Sequence, residues 1–501
     1  MQKSLTDRTL TGINWNVLKI YGKAGINIIV GVILARLLPP SDFGLVGMTV
    51  IFTGLADLFS TLGMGSSVIK LKFLSDTHIY IATLTTTLLG IIIFFIFYLL
   101  SPIIANFYNE PRLLSILRIL SLVFILKGMS TVSYSLIMRE MDFKSILKIE
   151  LVSFIFGYSL ITIVLALSGF GVWSLVIGRI ASVVVSNIQT QIRKPIQLKL
   201  VFSKKEFNEL FAFGSGVSIS KLLNYIASNI DYLIIGKFLN SFQLGLYQRS
   251  YNLMTLPISQ MSGSIYSVLF PAFSAVQDDV QKLRTAYLRT IKTVVFILYP
   301  LLTMFYIGGE YIILGLYGQK WHGAINAFKI LTLSGFFSST LSYSGAIAHA
   351  TGKVFNEVFQ QFVYVTVLSI GVFYGIKYNI EGAAIAVVVA LIILFILQSQ
   401  LAIKIAKIPF KEFLLSFFPG IFVSAVVFAS NNLLIYLFDS TMRELPYPIK
   451  LILLVGVTLT TIIICILFMP KSIKGDVVDW LISKYNNKIP RQFKDLYYKY
   501  N

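Results

Sequence analysis

The sequence predicts an all-α polytopic membrane protein of about 14 transmembrane helices, built as two pseudo-symmetric six-helix lobes in a parallel repeat plus two extra C-terminal helices. Three observations predict it. Of 501 residues, 56% are apolar and 13% charged, and the mean hydropathy is +0.80; soluble domains run at about 45–50% and about 25%. Apolar stretches of the roughly 20 residues that cross a hydrocarbon core about 30 Å thick fill most of the length. Short segments also recur at fixed offsets. This composition excludes a large soluble domain and makes a soluble enzyme untenable.

In chain order, the predicted crossings are 12–38, 42–65, 79–101, 112–137, 146–168, 169–191, 208–236, 243–269, 286–307, 323–348, 354–376, 380–403, 412–437 and 449–469. Several carry Gly, Pro, Asn or Lys, which lowers their raw hydropathy. With the N-terminus placed in the cytoplasm, the inner loops and termini hold 27 Lys and Arg residues and the outer loops 7. The positive-inside rule therefore places both termini in the cytoplasm. The formal charge of +20 is explained by this topology and by anionic headgroups, so no nucleic-acid partner is expected.

The repeat sets the architecture. RLLPPSDFGLV (36–46) matches KFLNSFQLGLY (237–247) at an offset of 201, pairing Gly44 with Gly245. LRILSL (117–122) matches FKILTL (328–333) at an offset of 211, which also pairs Gly171 with Gly382. Corresponding segments lie six crossings apart, so the halves share one orientation and are related by an axis along the membrane normal. The expected organisation is an N-lobe over 1–191, a basic cytoplasmic inter-lobe loop over 192–207, a C-lobe over 208–403, two unpaired helices over 404–469, and a basic amphipathic tail over 470–501. The tail, with Val478, Leu481, Ile482 and Tyr485 at helical spacing, reads as a surface anchor on lipid, with a partner-binding role as the alternative.

The lone Cys465 and the three histidines, His78, His322 and His349, provide no disulfide or cysteine metal site; no cofactor is expected. The N-terminal stretch lacks the short apolar core and small-residue cleavage site of a signal peptide, so no cleaved leader is expected.

Ionisable residues inside crossings cost roughly 2.5–3.5 kcal/mol each on insertion scales and must face protein or water. Eight basic residues lie there: Lys19, Lys23, Arg118, Lys127, Arg179, Lys221, Arg249 and Lys329, against the acids Asp57 and Asp231, with Glu150 and Glu357 near cytoplasmic ends. Asn16, Lys19, Lys23 and Asn27 share an arc of about 80° on the first helix. Lys221, Asn224, Ser228 and Asp231 form the corresponding arc on the seventh, and Arg249, Asn252 and Ser259 share a face of the eighth. In a two-lobed transporter, such stripes line a midplane cavity between lobes. Arg118 and Lys329 lie near the outer surface, where snorkelling competes with ligand contact. Paired cations with amides suit a diphosphate and hydroxyl-rich groups. The candidate substrate-binding residues are therefore Lys19, Lys23, Asn27, Arg179, Lys221, Asn224, Arg249 and Asn252; Asp57 and Asp231 are candidates for charge balance or cation coupling. Lys127 receives no role, and Tyr225 and Tyr251 either stack on sugars or pack.

Five segments carry a family resemblance: ARLLPPSDFGLVG (35–47), SLIMREMDFKS (135–145), GFGVWSLVIGR (169–179), NIDYLIIGKFLNSFQLGLYQRSYNL (229–253) and LFPAFSAVQDDVQKLRTAYLRT (269–290). The chain resembles, over roughly residues 5–470, the bacterial polysaccharide transporter family of the multidrug/oligosaccharidyl-lipid/polysaccharide exporter superfamily, with flippases of the O-antigen, colanic acid and teichuronic acid type. The resemblance implies movement of an undecaprenyl-pyrophosphate-linked oligosaccharide from the cytoplasmic to the outer leaflet of the bacterial plasma membrane, by alternating access through a cationic cavity. It implies Na+ or H+ coupling, a groove for the lipid tail at the last two helices, and a polysaccharide polymerase and other biosynthetic proteins as candidate partners. Arg139 and the repeated glycines are expected to set turns and intracellular contacts. Two alternatives stay open: a superfamily exporter of another substrate, disfavoured by the scarcity of deep carboxylates, and a membrane-embedded glycosyl- or acyltransferase. The enzyme would need a catalytic carboxylate pair or a histidine-centred site in a substantial loop; Glu310 and His322 share an outer loop but have no further acid beside them.

Overall fold

A computed structural model describes residues 22–469 apart from Leu62, Leu198, Leu200 and Phe202. The tail over 470–501 and the start of the first helix, with Lys19, lie outside the described residues. Among the described residues the chain is helical and without strands, and nine helical stretches are long and apolar enough to cross a membrane. The protein is thus an all-α, multi-pass membrane protein. It divides into two compact units, Met1–Gln248 and Arg249–Asn501.

The first unit contains α1 (22–37), α2 (Pro40–Thr61), α3 (Met64–Lys70), α4 (Asp76–Tyr108), α5 (Arg112–Leu120), α6 (Leu122–Arg139), α7 (Phe143–Val152), α8 (Ile161–Leu167), α9 (Val172–Arg193), α10 (Lys204–Ala227) and α11 (Ile230–Phe238), and the start of α12 (Ser241–Ala275). A π-helical stretch, Ser153–Leu160, joins α7 to α8. The second and seventh expected crossings contain a residue outside helical backbone geometry. The second breaks at Gly63, in the left-handed region at φ 66°, a conformation open to glycine. The seventh breaks at Asn229, whose φ of −138° is not helical and whose side-chain amide turns back to donate to Tyr225 O at 2.8 Å.

Small residues set the crossings, because helices in lipid associate through close packing and polar contacts. Between α4 and α6, a Cβ on Gly90 would stand 2.5 Å from Phe124 O and one on Gly128 2.4 Å from Thr86 O, while Thr86 Oγ1 donates to Gly128 O at 2.8 Å. The recurring segments 36–46 and 237–247 make a reciprocal contact of the same kind. A Cβ on Gly44 would fall 1.6 Å from Ser241 O, and one on Gly245 1.9 Å from Pro40 O. At the offset of 201, Ser241 is the mate of Pro40 and Gly245 the mate of Gly44, so each glycine receives the carbonyl of its mate's own helix start.

The short helix α3 is tied down by Arg139, which donates to Val68 O (2.7 Å), Ile69 O (3.1 Å) and Lys72 O (3.3 Å). These are carbonyls left open at a helix C-terminus, so the motif arginine acts as a turn-setting contact. Three residues on, Asp142 caps α7 through Ser145 N (3.1 Å) and pairs with Arg193 (2.5 Å). Burial opposes ionisation of Asp142, but hydrogen bonds from the Ser145 hydroxyl, the Arg193 guanidinium and the Ser145 amide outweigh it and hold the carboxyl below its usual 3.8. A lowered carboxyl stabilises the fold above its unfolded pKa and loses that contribution as pH falls through the folded value. We therefore expect this clamp to persist at pH 5 and to release only in strong acid, below about pH 4; proteolysis at the 140–145 turn across a pH series checks it, and release already at pH 5 would refute it.

The second unit continues α12 and adds α13 (Val280–Ile307), α14 (Gly309–Tyr317), α15 (Ile325–Ala350), α16 (Val354–Gly375), α17 (Asn379–Ala406), α18 (Phe410–Leu415), α19 (Phe418–Ser440) and α20 (Tyr447–Phe468). Near the C-terminal end, α19 lies against α13, where a Cβ on Gly420 would reach 2.5 Å from Val295 O. Phe296, Val423, Val427, Cys465 and Met469 form one buried cluster across α13, α19 and α20. Asn431 Nδ2 donates to Thr458 Oγ1 at 2.9 Å, adding a polar tie between α19 and α20.

Candidate functional site

On α1, Lys23 and Asn27 lie one turn apart, as the stripe requires. Asn27 is exposed. Lys23 donates to Glu150 Oε2 at 3.1 Å, and Tyr134 Oη donates to Glu150 Oε1 at 2.9 Å. The carboxylate thus anchors the lysine from one side, immediately before the π-helical stretch, a departure from regular helix that is frequent at functional sites. The Lys23 side chain is still 44% exposed, so its ammonium, with three donors, is oriented yet open to an anion.

A second pair lies on α2 and α6. Lys127 Nζ meets Asp57 Oδ2 at 2.7 Å, with side chains 29% and 37% exposed. Asp57 thus has a definite cationic partner, in the lysine to which the sequence assigned no role. Two turns or so along α2, Tyr225 of α10 donates to Val50 O at 2.5 Å, and its hydroxyl occupies the space over Gly54, 2.0 Å from where a Cβ would stand. Tyr225 packs in this structure rather than presenting a free ring face.

Asp231 sits in the first turn of α11, 4% exposed, and accepts a hydrogen bond from Tyr247 Oη at 2.9 Å. A helix N-terminus favours a negative group, which explains how a carboxylate is tolerated at this depth. Lys221 and Asn224 lie on α10, with side chains outside those described. Arg179 is exposed on α9, next to Gly178, which packs against Thr162.

In the second unit, Arg249 is half-buried and Asn252 exposed on α12, and the Arg249 charge acts on the Tyr317 hydroxyl. His349 Nδ1 lies 3.0 Å from Tyr266 Oη, and its Nε2 pairs with Glu357. Among the described residues, no group of three His, Cys, Asp or Glu side chains could hold a metal ion. Arg118 stacks on Tyr98 at 4.5 Å and donates to Ser101 Oγ at 3.2 Å, so its charge is engaged within its own helical hairpin.

Sequence reasoning did not find Glu150, Tyr134 or Lys127 as partners. The available signal was charge parity: a lysine and an aspartate, each inside an expected crossing, on α6 and α2.

Residues 33–326 match the family described as polysaccharide biosynthesis protein. The chain is 28% identical over 382 residues to the lipopolysaccharide biosynthesis protein WzxC of Escherichia coli K12, covering 74% of this chain and 76% of that one. It is 23% identical to the teichuronic acid biosynthesis protein TuaB of Bacillus subtilis 168, covering 70% and 73%. It is 25% identical to the succinoglycan biosynthesis transport protein ExoT of Rhizobium meliloti 1021, covering 67% and 68%. Among solved structures, the lipid II flippase MurJ in an inward closed conformation superposes with a TM-score of 0.68 at 16% identity, over 91% of this chain and 97% of that one. An inward-facing multidrug MATE transporter of the MOP superfamily gives 0.60 at 19% identity, over 76% and 95%. These likenesses establish a shared fold.

Proposed function

Since this chain belongs to the polysaccharide biosynthesis protein family, we propose that it is a flippase, not an enzyme, and that it moves a lipid-linked oligosaccharide across the membrane by alternating access. The lobes over 1–191 and 208–403 are the parts proposed to alternate, in a bacterial plasma membrane with both termini cytoplasmic. The proposed cargo is an undecaprenyl-pyrophosphate-linked repeat unit. The names of the relatives support a polysaccharide intermediate, since WzxC, TuaB and ExoT are named for lipopolysaccharide, teichuronic acid and succinoglycan.

The observation that carries the reading is Lys23: a cation deep within a crossing, anchored by Glu150 and Tyr134, and still open on one side. Its ion pair with Glu150 at 3.1 Å leaves the side chain 44% exposed, so the ammonium keeps donors for a diphosphate. Lys19, Lys221, Arg179 and Arg249 supply further cations in this proposal, with Asn27, Asn224 and Asn252 binding sugar hydroxyls. Asp231, buried beside Tyr247, is the proposed group for coupling to Na+ or H+; Asp57 serves charge balance with Lys127. A polymerase acting on the delivered unit is a proposed partner.

Deleting the gene in its host and assaying the leaflet distribution of lipid-linked glycans tests the function. Accumulation of a pyrophosphate-linked glycan on the cytoplasmic side is the expected result. Normal delivery of an intermediate missing one sugar or acyl group would instead identify an enzyme. In the complemented strain, Lys23→Gln should slow flipping about ten-fold or more, since a hydrogen bond to a charged group contributes about 1.5–3 kcal/mol. Undiminished flipping after charge removal at Lys19, Lys23, Lys221 and Arg249 together would refute the assignment of the cations.

A further inference from the structure

The second unit contains a polar cavity that none of these roles uses. Helix α13 is capped by Asp279, whose side chain accepts from Lys282 N at 3.0 Å. From there Gln281, Arg284, Thr285, Leu288 and Lys292 recur at spacings of three and four, which places them along one face. The six-residue helix α18 brings Glu412 against that face, and between them lies a cavity of about 290 Å³ lined also by Arg289. One water needs about 10–15 Å³, so a polyatomic anion fits.

The charges in this cavity do not balance. Glu412 is the one acid among its lining residues, against Arg284, Arg289 and Lys292. Arg284 already engages both Glu412 oxygens, through Nε at 3.1 Å and through its terminal nitrogen. That pairing holds the guanidinium in place and leaves the charges of Arg289 and Lys292 unmatched by any carboxylate in the lining. Two cations around one open space repel each other, and an entering anion relieves that repulsion. A phosphate offers the oxygens and the charge that an arginine and a lysine recognise.

The surroundings indicate what carries the phosphate. Lys292 is the last cation before the apolar run 293–307, so the cavity lies where α13 passes from water to hydrocarbon. On α18 and the start of α19, Phe410, Leu414, Leu415 and Phe418 are between 47% and 66% exposed. A cationic cavity beside exposed apolar side chains at headgroup depth matches an amphiphile with a phosphate head. We propose that this cavity is a binding site for the phosphate of a membrane-lipid headgroup, on the face that the loop charges assign to the cytoplasm. The site involves none of the residues proposed to hold the cargo, and its test does not depend on the flippase reading.

The test uses the full-length protein in detergent, with the thermal midpoint read against added dioleoylphosphatidylglycerol, dioleoylphosphatidylcholine or inorganic pyrophosphate. The phosphatidylglycerol should raise the midpoint more than the zwitterionic lipid, because a ligand that binds only the folded state stabilises it by mass action. The upward shift should fall to about half or less in Arg289→Gln/Lys292→Gln, and in part in each single variant, with the loss reproduced by high salt. Lys282→Gln, on the same helix but outside the cavity, should keep the full shift and so controls for general surface charge. Stabilisation by phosphatidylglycerol alone would identify a lipid headgroup; equal stabilisation by pyrophosphate would identify the phosphate group itself as sufficient. An unchanged shift in the double variant, or no shift with either anion in the parent protein, would overturn the proposal. Any folding defect shows independently, as a lowered midpoint without ligand.

Discussion

Gly245→Val should prevent stable folding, and Gly44→Val should do the same from the other side of the contact. A Cβ at either position would fall within 2 Å of a backbone carbonyl oxygen, Ser241 O for Gly44 and Pro40 O for Gly245. Ordinary overpacking costs about 1–3 kcal/mol, because neighbouring side chains rotate away. Backbone carbonyls of α2 and α12 have no such freedom, so the helices must separate and lose the close approach that drives association in lipid. Even alanine is expected to reach the upper end of that range. The measurement is membrane yield and thermal midpoint in detergent for Gly44→Ala, Gly245→Ala and the pair. Because both glycines serve one crossing, the double variant should cost clearly less than the two single costs added together. Native midpoints in both alanine variants would show that these helices do not cross as described.

Lys127→Met should lower the midpoint and yield, and Asp57→Asn combined with it should recover much of the loss. Breaking a fully buried ion pair costs about 3–5 kcal/mol, because one charge is left without compensation, whereas an exposed pair contributes about 0–1 kcal/mol. With side chains 29% and 37% exposed, the Asp57–Lys127 pair falls between, at about 2 kcal/mol for the single change. Replacing both members removes both charges together and spares the penalty. The same variants separate structure from transport. Recovered stability with recovered flipping makes the pair a structural tie, as proposed for charge balance. Recovered stability with flipping still lost would assign one of the charges to the transport cycle. Equal destabilisation in the single and double variants would contradict the pairing itself.

That Lys23 and Asn27 share a face of α1 was legible because helical periodicity is local and holds whatever surrounds them. The partner of Lys23 was not legible. Glu150 lies 127 positions away, near a helix end, where a carboxylate reads as ordinary surface charge. Lys127 had no role for the same reason, since its counterpart Asp57 is 70 positions distant and many pairings satisfy the same composition. The break before Asp231 was hidden inside an apolar run, because hydropathy does not register that Asn229 leaves the helical region. Arg139 was anticipated as a turn-setting contact, yet the three carbonyls it gathers on and after α3 required the geometry.

Membrane residence and helical class were determined by the sequence alone. Both depend on quantities that accumulate along the chain: apolar length sufficient for the bilayer, and the obligation of backbone groups in lipid to pair within a helix. The tertiary structure decided which charges meet. In a helical membrane protein that choice follows from where small residues let backbones approach: Gly44 against Ser241, Gly245 against Pro40, Gly90 and Gly128 between α4 and α6. Those approaches bring together segments remote in sequence, and a shift of one residue at a crossing would present a different side chain to Glu150 or Asp57.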